Sequence, residues 1–431
     1  MEPQRYSKKQ ENDLTFPCFH VIVIGGGPAG LFTALHIGRD KTVLLLEKNN
    51  RPGKKLLLSG SGRCNLTHTG AVDAFLEHYG PNYRFLRTAL QSFSNEDLIR
   101  FFNKRRLPTT IDKSGKIFPA NGTAEAVLDI LLEECRKQNV RIHSNEAVST
   151  IDVTDDAGHR FHIVTPVGEY YCRCLVIATG GKSYPGTGSS GDGFKFAKSL
   201  GHTIVTPKPA LTPVYIKDYQ FAAISGVSLA NRTVYLYRGD KKIKEHRGDI
   251  GFTHKGLSGP GILDFSRYME RNDILKLAVA GRTEEDFTRN FKEAAESHGK
   301  TSIKRFLKEF DIPDSLIGIM LRQLDIPQEE KLANITRHNR SRLIELCCRF
   351  PFVIEKPGGF AAAMVTAGGV SLKEVSSQTM ESKLIPGLYF AGEVLDIDGD
   401  TGGYNIQAAF SMGYLAARGI SAGGCCSPQK S

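Results

Sequence analysis

Residues 21–47 read VIVIGGGPAGLFTALHIGRDKTVLLLE, and their order predicts a strand, a glycine-rich turn, a helix and a second strand. Gly25 permits a tight turn, Gly27 lets the backbone approach a pyrophosphate, and Gly30 lets the helix pack close to the sheet. The N-terminus of that helix offers N–H groups to phosphates. Glu47 ends the second strand, where a carboxylate can accept the hydroxyls of an adenosine ribose. The segment therefore predicts a dinucleotide-binding unit.

The acid at the end of the second strand narrows the choice of dinucleotide. A carboxylate there disfavours a 2′-phosphate, so the tight ligand should be FAD or NAD rather than NADP. A glycine triplet alone is weak support, and the alternative is a glycine-rich turn in some other α/β protein. The complete order of strand, glycines, helix, strand and acid is much more specific.

The composition is that of a globular protein with more than one domain. The chain has 431 residues, of which 40% are hydrophobic and 24% are charged, so two or three domains with ample core are expected. The first twenty residues are polar, and no apolar run is long enough to span a bilayer. We therefore expect a cytoplasmic protein with no membrane partner.

The cysteines and the net charge exclude some classes of site. The nine cysteines have no zinc spacing, and Cys347-Cys348 and Cys425-Cys426 are adjacent pairs. Reduced thiols and no metal site are therefore expected. The net charge of +10 comes from scattered basic residues, and no clear nucleic-acid-binding module accompanies them. They predict a basic surface with some attraction for anionic substrates.

A second part of a nucleotide-binding fold lies in the middle of the chain. Residues 170–178 (YYCRCLVIA) predict a strand that ends at Thr179-Gly180-Gly181, where small residues would return the backbone to the dinucleotide. Residues 140–151 and 161–167 also have strand patterning. In this arrangement Val148 falls where a backbone amide commonly meets the adenine ring.

Gly186-x-Gly188-x-x-Gly191 matches the glycine spacing but not its context. No strand precedes it, and Lys208 stands where the acid would be. We interpret it as a loop before a helix over residues 194–200. The chain therefore lacks a second complete dinucleotide motif, and NAD(P)H, if it is used, must dock without a dedicated domain.

The C-terminal region predicts contacts with a flavin. Residues 387–393 (GLYFAGE) form a short strand and a Gly-acid turn, and a helix of small residues follows over 406–417. The N-terminus of such a helix can stabilise negative charge on the flavin ring. The alternating acids Asp396, Asp398 and Asp400 could suggest calcium, but Gln407 stands where an EF-hand loop has its final Glu.

Blocks along nearly the whole chain resemble the bacterial FAD-dependent oxidoreductase family that contains aminoacetone oxidase and BaiN-type reductases (BaiN/RdsA-like NAD(P)/FAD-dependent oxidoreductases). SGSGRCN and GGYNIQ are the most family-specific. The blocks are GGGPAG (25–30), GKKLLLSGSGRCNLT (53–67), IFPANGTAEAVLDILL (117–132), ATGGKSYPGTGSSGDG (178–193), GFTHKGLSGPGIL (251–263), AMVTAGGV (363–370) and LYFAGEVLDIDGDTGGYNIQAAFSMGYLA (388–416). The chain departs from the family at His68, where members often have Asn, and at 408–410, where many members carry Trp. These departures leave the residues of the substrate pocket undetermined from sequence.

The resemblance implies an α/β fold in two parts. A Rossmann-like FAD-binding domain would be formed by both chain ends, residues 1–205 and 352–431. An inserted β-barrel-like substrate or cap domain with a small helical segment would occupy residues 206–351. The Pro-rich stretch 206–213 and the helical period of 283–324, with a break at Pro313, agree with this division.

The motifs and the resemblance together imply the cofactor-binding residues. Arg63 could also form a structural salt bridge, and packing is the preferred role of Cys64 because no second spaced cysteine accompanies it. The expected contacts of FAD are Gly25, Gly27, Pro28, Ala29, Gly30, Glu47, Lys48, Arg63, Cys64, Asn65, Val148, Thr179, Gly180, Gly392, Glu393, Asn405 and Ile406.

The catalytic residues are unknown from sequence. His254 and Tyr404 are candidates for shaping the pocket or donating a proton, although a structural histidine is the preferred interpretation of His254. The predicted function is hydride transfer between a small organic substrate and non-covalent FAD. The chain could be an NAD(P)H-dependent reductase of polarised C=C bonds or an amine-type oxidase that reduces oxygen to peroxide. A flavoprotein with structural FAD that binds RNA or a protein is the third possibility.

Overall fold

The computed structural model describes residues 17–154 and 158–422. The polar start of the chain before residue 17 and the Cys425-Cys426 pair lie outside these residues. The strands are β1 (Cys18–Ile24), β2 (Val43–Leu46), β3 (Thr67–His68), β4 (Thr109–Ile111), β5 (Lys116–Pro119), β6 (Arg141–His143), β7 (Thr150–Val153), β8 (Phe161–Val164), β9 (Glu169–Ile177), β10 (Ile204–Ala210), β11 (Val214–Ile216), β12 (Ser228–Arg238), β13 (Lys241–Phe252), β14 (Gly256–Ser258), β15 (Ile274–Leu277), β16 (Phe350–Pro357), β17 (Val365–Val370) and β18 (Leu388–Phe390).

The described residues form helices in both the N-terminal and C-terminal parts of the chain and in the part between them. They are α1 (Pro28–His36), α2 (Lys54–Leu58), α3 (Val72–Leu76), α4 (Tyr83–Ser92), α5 (Asn95–Asn103), α6 (Ala124–Lys137), α7 (Asp192–Ser199), α8 (Pro260–Leu263), α9 (Glu284–Ser297), α10 (Ile303–Lys308), α11 (Asp314–Gln323), α12 (Arg337–Arg349) and α13 (Tyr404–Ala422). Within the described residues, no helix is both long and apolar enough to cross a bilayer.

The main sheet has seven strands in the order β6-β2-β1-β9-β8-β7, and β18 also pairs with β9. β1 runs parallel to both β2 and β9, so that Val23 is opposite Leu45 on one side and Val176 on the other. These strands are apolar and buried on both faces, as parallel strands between helices require. The carboxyl ends of β1, β2, β9 and β18 therefore meet at one edge, where parallel sheets bind ligands.

A second unit is a closed six-stranded barrel in the order β11-β14-β13-β12-β15-β16. Its buried residues, together with those of α9 to α12, form a hydrophobic core that spans residues 214–354. The core of the main sheet is drawn from both ends of the chain, residues 19–197 and 370–420. β10 precedes the barrel strands in the sequence and β17 follows them, and the two form a two-stranded antiparallel sheet. The domain boundaries at 206 and 352 stay a prediction.

The structure differs from one predicted strand because part of that segment bonds to a distant part of the chain. Residues 140–151 are not one strand, because β6 ends at His143 and Asn145 adopts a left-handed conformation with φ of 60°. The Asn145 N–H donates to the Asn49 carbonyl and the Glu146 N–H to the Glu47 carbonyl. This segment therefore crosses the end of β2, and β7 begins only at Thr150.

The predicted helices are confirmed with small shifts of their ends. The helix predicted over 406–417 is α13, which begins two residues earlier and ends at Ala422. The helical region 283–324 is divided into α9, α10 and α11, and Pro313 caps the last of these. The loop interpretation of 186–191 is also confirmed, since a short 3-10 turn and left-handed glycines precede α7.

Candidate flavin site

One cavity of about 590 Å³ lies at the carboxyl edge of the main sheet. Pockets of this size commonly hold small molecules and cofactors. Its walls include most of the residues that the sequence analysis expected to contact FAD. These are Gly25, Gly27, Pro28, Ala29, Glu47, Lys48, Asn65, Val148, Thr179, Gly180, Gly392, Glu393, Asn405 and Ile406.

Glu47 is the buried carboxylate at the end of β2, where its side chain is 7% exposed. Its Oε2 accepts the Gly26 N–H at 2.8 Å. Its Oε1 accepts the backbone and side-chain N–H groups of Asn49 at 2.8 and 2.7 Å. These donors hold a buried anion in place. Because Oε2 accepts only one of these bonds, it retains acceptor capacity for a ribose hydroxyl.

The turn before α1 has the shape that a pyrophosphate site needs. Gly27 is the N-cap of α1, has no side-chain cap and is followed by Pro28. A Cβ added at Gly27 would meet nothing within 4 Å, so the backbone faces open space with its uncapped N–H groups. Gly30 has a different role: a Cβ there would lie 1.9 Å from the Gly25 carbonyl oxygen. Gly30 permits packing and does not line the cavity.

Two asparagines, Asn65 and Asn405, line the cavity, and one of them has an oxygen without a partner among the described residues. Asn65 Oδ1 is buried and accepts no hydrogen bond from the described residues, and a buried unpaired acceptor in a cavity wall suits a polar ligand. Asn405, at the start of α13, has another role as well. Its side chain accepts the Gly399 N–H and donates to the carbonyls of Gly399 and Asp400, so it fixes the shape of the preceding loop.

Lys55 is a cavity residue that the sequence analysis did not single out. Its Nζ donates to Glu393 Oε2 and to Ser183 Oγ, each at 2.7 Å. Glu393 Oε1 accepts the Ser183 hydroxyl at 2.8 Å and the Thr366 N–H at 2.8 Å. The partners come from distant parts of the chain, so no local pattern could reveal the network.

The glycine-patterned loop at 186–191 contributes to the cavity although it is not a dinucleotide motif. Lys48 Nζ bonds to Asp192 Oδ2 at 2.7 Å and also to Ser190. Burial raises the pKa of Asp192. The hydrogen bonds that Asp192 accepts from Lys48 and from the Ser190 hydroxyl, together with the charges of Lys48 and Lys195, outweigh burial and hold this pKa below its usual value. Thr187, Gly188 and neighbouring residues line the cavity. Lys48 therefore ties this loop to the end of β2.

Besides Gly30, four predicted residues lie outside the cavity wall. Arg63 is exposed, with its guanidinium over the Phe118 ring. Cys64 is fully buried, and burial raises the pKa of its thiol to about 12, so packing is its role and the thiolate is disfavoured. His254 lies exposed in the turn between β13 and β14, where it contacts no cavity. Burial of Cys64 agrees with the preferred interpretation of this residue as a packing residue, and a role for Arg63, Cys64 or His254 at the cofactor stays a prediction.

Tyr404 is the fourth of these residues. Its ring is stacked between the rings of His78, at a centroid distance of 4.0 Å, and His68, at 5.2 Å. Burial and the neighbouring Asp400 raise the pKa of its hydroxyl to about 12. The Tyr404 side chain packs against Gly399 and Gly402 in the loop before α13. Its neighbours Gly403 and Asn405 line the cavity.

The acid-rich loop at 396–400 joins the barrel to the cavity. Arg267, in the barrel unit, bonds to Asp400 Oδ1 at 2.7 Å and pairs with Asp398 Oδ2 at 3.2 Å. Asp264 accepts the Thr401 N–H at 2.6 Å. Burial, together with the negative charge of Asp400, raises the pKa of Asp264 to about 6. Within the described residues no group of three His, Cys, Asp or Glu side chains is arranged to hold a metal ion.

The comparison with known families decides the identity of this fold. The family described as the HI0933-like protein Rossmann domain matches residues 19–419. The chain belongs to this family. Together with the relatives described next, this finding confirms the resemblance, the expected fold class and the expectation of an enzyme: the chain is an FAD-dependent oxidoreductase with a Rossmann-like FAD-binding fold.

Curated relatives of this HI0933-like protein cover almost its whole length. A ribosomal RNA dihydrouridine synthase of Haemophilus influenzae is 32% identical over 405 residues, which cover 93% of this chain and 98% of the relative. A protein of the same name from Escherichia coli K12 is 31% identical over 413 residues, with coverages of 93% and 98%. A 3-dehydro-bile acid delta(4,6)-reductase of Clostridium scindens is 32% identical over 410 residues, with coverages of 92% and 97%.

Solved structures support the fold. The open conformation of a flavocytochrome c3 fumarate reductase superposes with a TM-score of 0.50 at 16% identity, covering 94% of this chain and 78% of that chain. At this identity the likeness shows the shared fold alone. The cavity fits the cofactor of such a fold, because it combines an open backbone at Gly27, a buried acid at Glu47 and an unpaired acceptor at Asn65.

The contacts of Glu47 predict the effect of a near-isosteric substitution. In Glu47→Gln, one side-chain atom becomes a donor that faces the donor of Gly26 or those of Asn49, whichever way the amide turns. The expected bond from the ribose hydroxyl also loses its charged acceptor, which costs about 1.5–3 kcal/mol, so the Kd for FAD should rise about tenfold or more. The ratio of absorbance at 450 nm to that at 280 nm in the purified protein measures this. Glu77→Gln, at an exposed position, is the control, and equal flavin content in the two variants would move the ribose contact elsewhere.

The raised pKa of Asp264 predicts a pH dependence of stability. The folded state holds this proton up to a pKa of about 6, whereas the ordinary value is 3.8. Between these values the folded state binds more protons, so stability falls as the pH rises and the penalty is complete above pH 6. Asp264→Asn keeps both bonds to Thr401 without the charge. Its Tm should match that of the wild type near pH 4 and exceed it at pH 7.5.

The control for this experiment is Asp240→Asn, which alters an exposed carboxylate in the turn between β12 and β13. This variant should follow the wild-type profile of Tm against pH. A profile for Asp264→Asn that is parallel to the wild type throughout would contradict the assignment of the penalty to Asp264.

Proposed function

We propose that this chain is an NAD(P)H-dependent reductase that hydrogenates a carbon–carbon double bond conjugated to a carbonyl group. The observation that carries the proposal is the composition of one cavity. Its wall combines the dinucleotide elements around Gly27 and Glu47 with apolar side chains from the barrel side. A cofactor and an organic substrate can therefore share it.

The chemistry of the cavity wall distinguishes a part that suits the cofactor from a part that suits the substrate. We assign the adenosine to the wall with Glu47 and Val148, and the pyrophosphate to the open backbone at Gly27 and Ala29. The flavin ring is assigned to the wall with Asn65 and the start of α13. When bound, FAD supplies the two-electron hydride chemistry. The non-covalent attachment expected from the sequence agrees with the burial of Cys64 and its raised pKa.

The substrate part of the cavity is apolar. Phe118 comes from β5, and Leu211 lies between β10 and β11. Pro260 begins α8 after barrel strand β14, and Met364 directly precedes β17. An apolar wall with few polar groups binds an organic molecule and excludes water from the reacting bond. The barrel therefore contributes to substrate binding, which is the role proposed for an inserted cap domain.

Lys55 is the cavity residue best placed to stabilise negative charge that develops on a bound ligand. Its ammonium carries three donors, of which two are occupied by Glu393 and Ser183. The third is available to a group in the cavity. Because Glu393 is itself held by Ser183 and Thr366, the position of Lys55 Nζ is fixed before any ligand enters. Such fixed charges stabilise developing negative charge without reorganisation.

The names of the relatives favour reduction over oxidation. A dihydrouridine synthase and a delta(4,6)-reductase both hydrogenate a carbon–carbon double bond, to judge by their names. In a uracil ring and in an enone, this bond is conjugated to a carbonyl. The shared bond supports the reductase over the amine-type oxidase. The two synthases named for ribosomal RNA also keep RNA open as a source of the substrate.

The proposal is tested by anaerobic stopped-flow absorbance near 450 nm on the flavin-loaded protein. NADH or NADPH should bleach the flavin, and an enone or a short oligouridylate added afterwards should restore its colour faster than buffer does. The oxidation state of the flavin is read directly, so each half of the reaction is observed by itself.

Two results would contradict the reductase. Bleaching by small amines but by neither nicotinamide, with rapid recovery in air, would identify an oxidase. Bleaching by none of these donors would favour a structural flavin in a binding protein.

The role of Lys55 predicts a change in the flavin itself. Lys55→Met should retain FAD, lower the flavin midpoint potential and slow its reduction by NAD(P)H about tenfold or more, because a positive charge beside the ring is lost. Lys55→Arg keeps the charge and should recover part of both effects. A dye-coupled reductive titration measures the potential. Unchanged potential and rate in Lys55→Met would assign the network a purely structural role.

A further inference from the structure

Strand β5 places a cation and an aromatic ring on the same wall of the cavity. Side chains alternate along a strand, so Lys116 and Phe118 share one face, while Ile117 between them is buried on the other. Both Lys116 and Phe118 line the cavity. The proposed reduction uses the ring as an apolar wall but gives no role to the ammonium group.

Arg63 adds a second cation beside the same ring. Its guanidinium carbon lies 4.4 Å from the centroid of Phe118, a cation–π contact. The loop that carries it is packed against that ring, since a Cβ added at Gly60 would lie 3.1 Å from Phe118 Cε1. Arg63 is exposed, so its donors remain accessible at the edge of the cavity.

Neither cation is held in a close ion pair. In the part of the chain that the structure describes, no carboxylate oxygen lies within 4 Å of the charged groups of Arg63 and Lys116. Asp112 is near enough to Lys116 for the ammonium charge to help lower the pKa of its carboxyl, but it accepts hydrogen bonds from its own turn, and Asp400 in the cavity wall is bonded to Arg267. The edge of the cavity beside Phe118 therefore carries two positive charges without an ion-paired carboxylate.

The two side chains suit one ligand chemistry. A guanidinium presents a planar fork that matches the oxygens of a phosphate, and an ammonium adds a compact positive charge. An aromatic support orders the guanidinium before the ligand arrives and so reduces the entropic cost of binding. The pyrophosphate of FAD does not need these residues, because the backbone before α1 provides for it.

We propose that Arg63 and Lys116 form a phosphate-binding subsite at the edge of the flavin cavity, which holds the phosphate groups of a nucleotide ligand. The inference rests on the proposed function in that such a ligand must reach the cavity. The phosphate can come from NAD(P)H, which has no second dinucleotide motif to dock on, or from the backbone of a nucleic acid that carries the substrate base.

The test measures binding to the flavin-loaded protein by titration calorimetry, without turnover. The probes are inorganic pyrophosphate, NADP⁺ and a six-residue oligouridylate. Arg63→Met and Lys116→Met should each weaken binding about tenfold, the effect of losing a hydrogen bond to a charged group, with Arg63→Lys intermediate. Lys113→Met, at an exposed position in the adjacent turn, should leave binding unchanged. The flavin content of every variant is measured in parallel.

The three probes distinguish the two sources of the phosphate, NAD(P)H and a nucleic acid. Weaker binding of pyrophosphate and NADP⁺ supports the subsite with the nicotinamide donor as the source, and weaker binding of pyrophosphate and oligouridylate supports it with nucleic acid. Loss of FAD instead of ligand affinity, equal affinities in all variants, or no binding of any probe to the wild type would overturn it. A protein whose flavin NAD(P)H cannot bleach, but which binds pyrophosphate through Arg63 and Lys116, would refute the proposed reductase and keep the subsite.

Discussion

The close packing of α1 is the constraint on which the rest of the structure depends. On one side, Gly30 brings the helix against the turn after β1, where a Cβ would lie 1.9 Å from the Gly25 oxygen. On the other side, Gly413 of α13 approaches so closely that its Cβ would lie 2.6 Å from the Ala29 oxygen. A helix held between sheet and helix at these distances cannot shift, because closely packed interiors do not deform gradually. The start of α13 is thereby fixed opposite the dinucleotide turn.

This packing explains why one cavity is built from both ends of the chain. The turn at 25–30 comes from the first fifth of the sequence and the loop at 399–405 from the last. β18 pairs with β9 in the same sheet as β1, which places Gly392 and Glu393 next to the Gly25 turn. The ligand edge of a parallel sheet thus collects residues in an order that the chain does not follow.

Much of the fold could be predicted because its signals are local. The run from Val21 to Glu47 contains every cue for its own βαβ unit within one short segment, and α13 follows from a run of small residues after two glycines. The failure at 140–151 has the opposite cause. Asn145 and Glu146 leave the strand because their N–H groups bind carbonyls at Asn49 and Glu47, and no periodicity within the segment encodes that partner.

The residues of the candidate site divide in the same way between those with local sequence signals and those set by long-range contacts. Residues that act through the backbone, such as Gly27 and Ala29, could be predicted from spacing alone. Lys55 could not, because its position is set by contacts with Glu393, more than three hundred residues away, and with Ser183. Arg63 belongs to a motif that the resemblance placed near the ring, yet the backbone of its loop takes left-handed conformations at Gly60 and Ser61 and turns the side chain to the outer edge.

The acid-rich loop shows how a misleading pattern acquires its role from tertiary contacts. Alternating acids at 396, 398 and 400 have the spacing of a cation site, yet Asp398 and Asp400 face Arg267. Asp396 accepts the side-chain N–H of Asn82. The loop thereby joins the barrel unit to the start of α13, and Asp400, Thr401 and Asn405 also line the cavity. The same loop therefore forms part of the cavity wall and is held by Arg267 and Asp264 of the barrel unit.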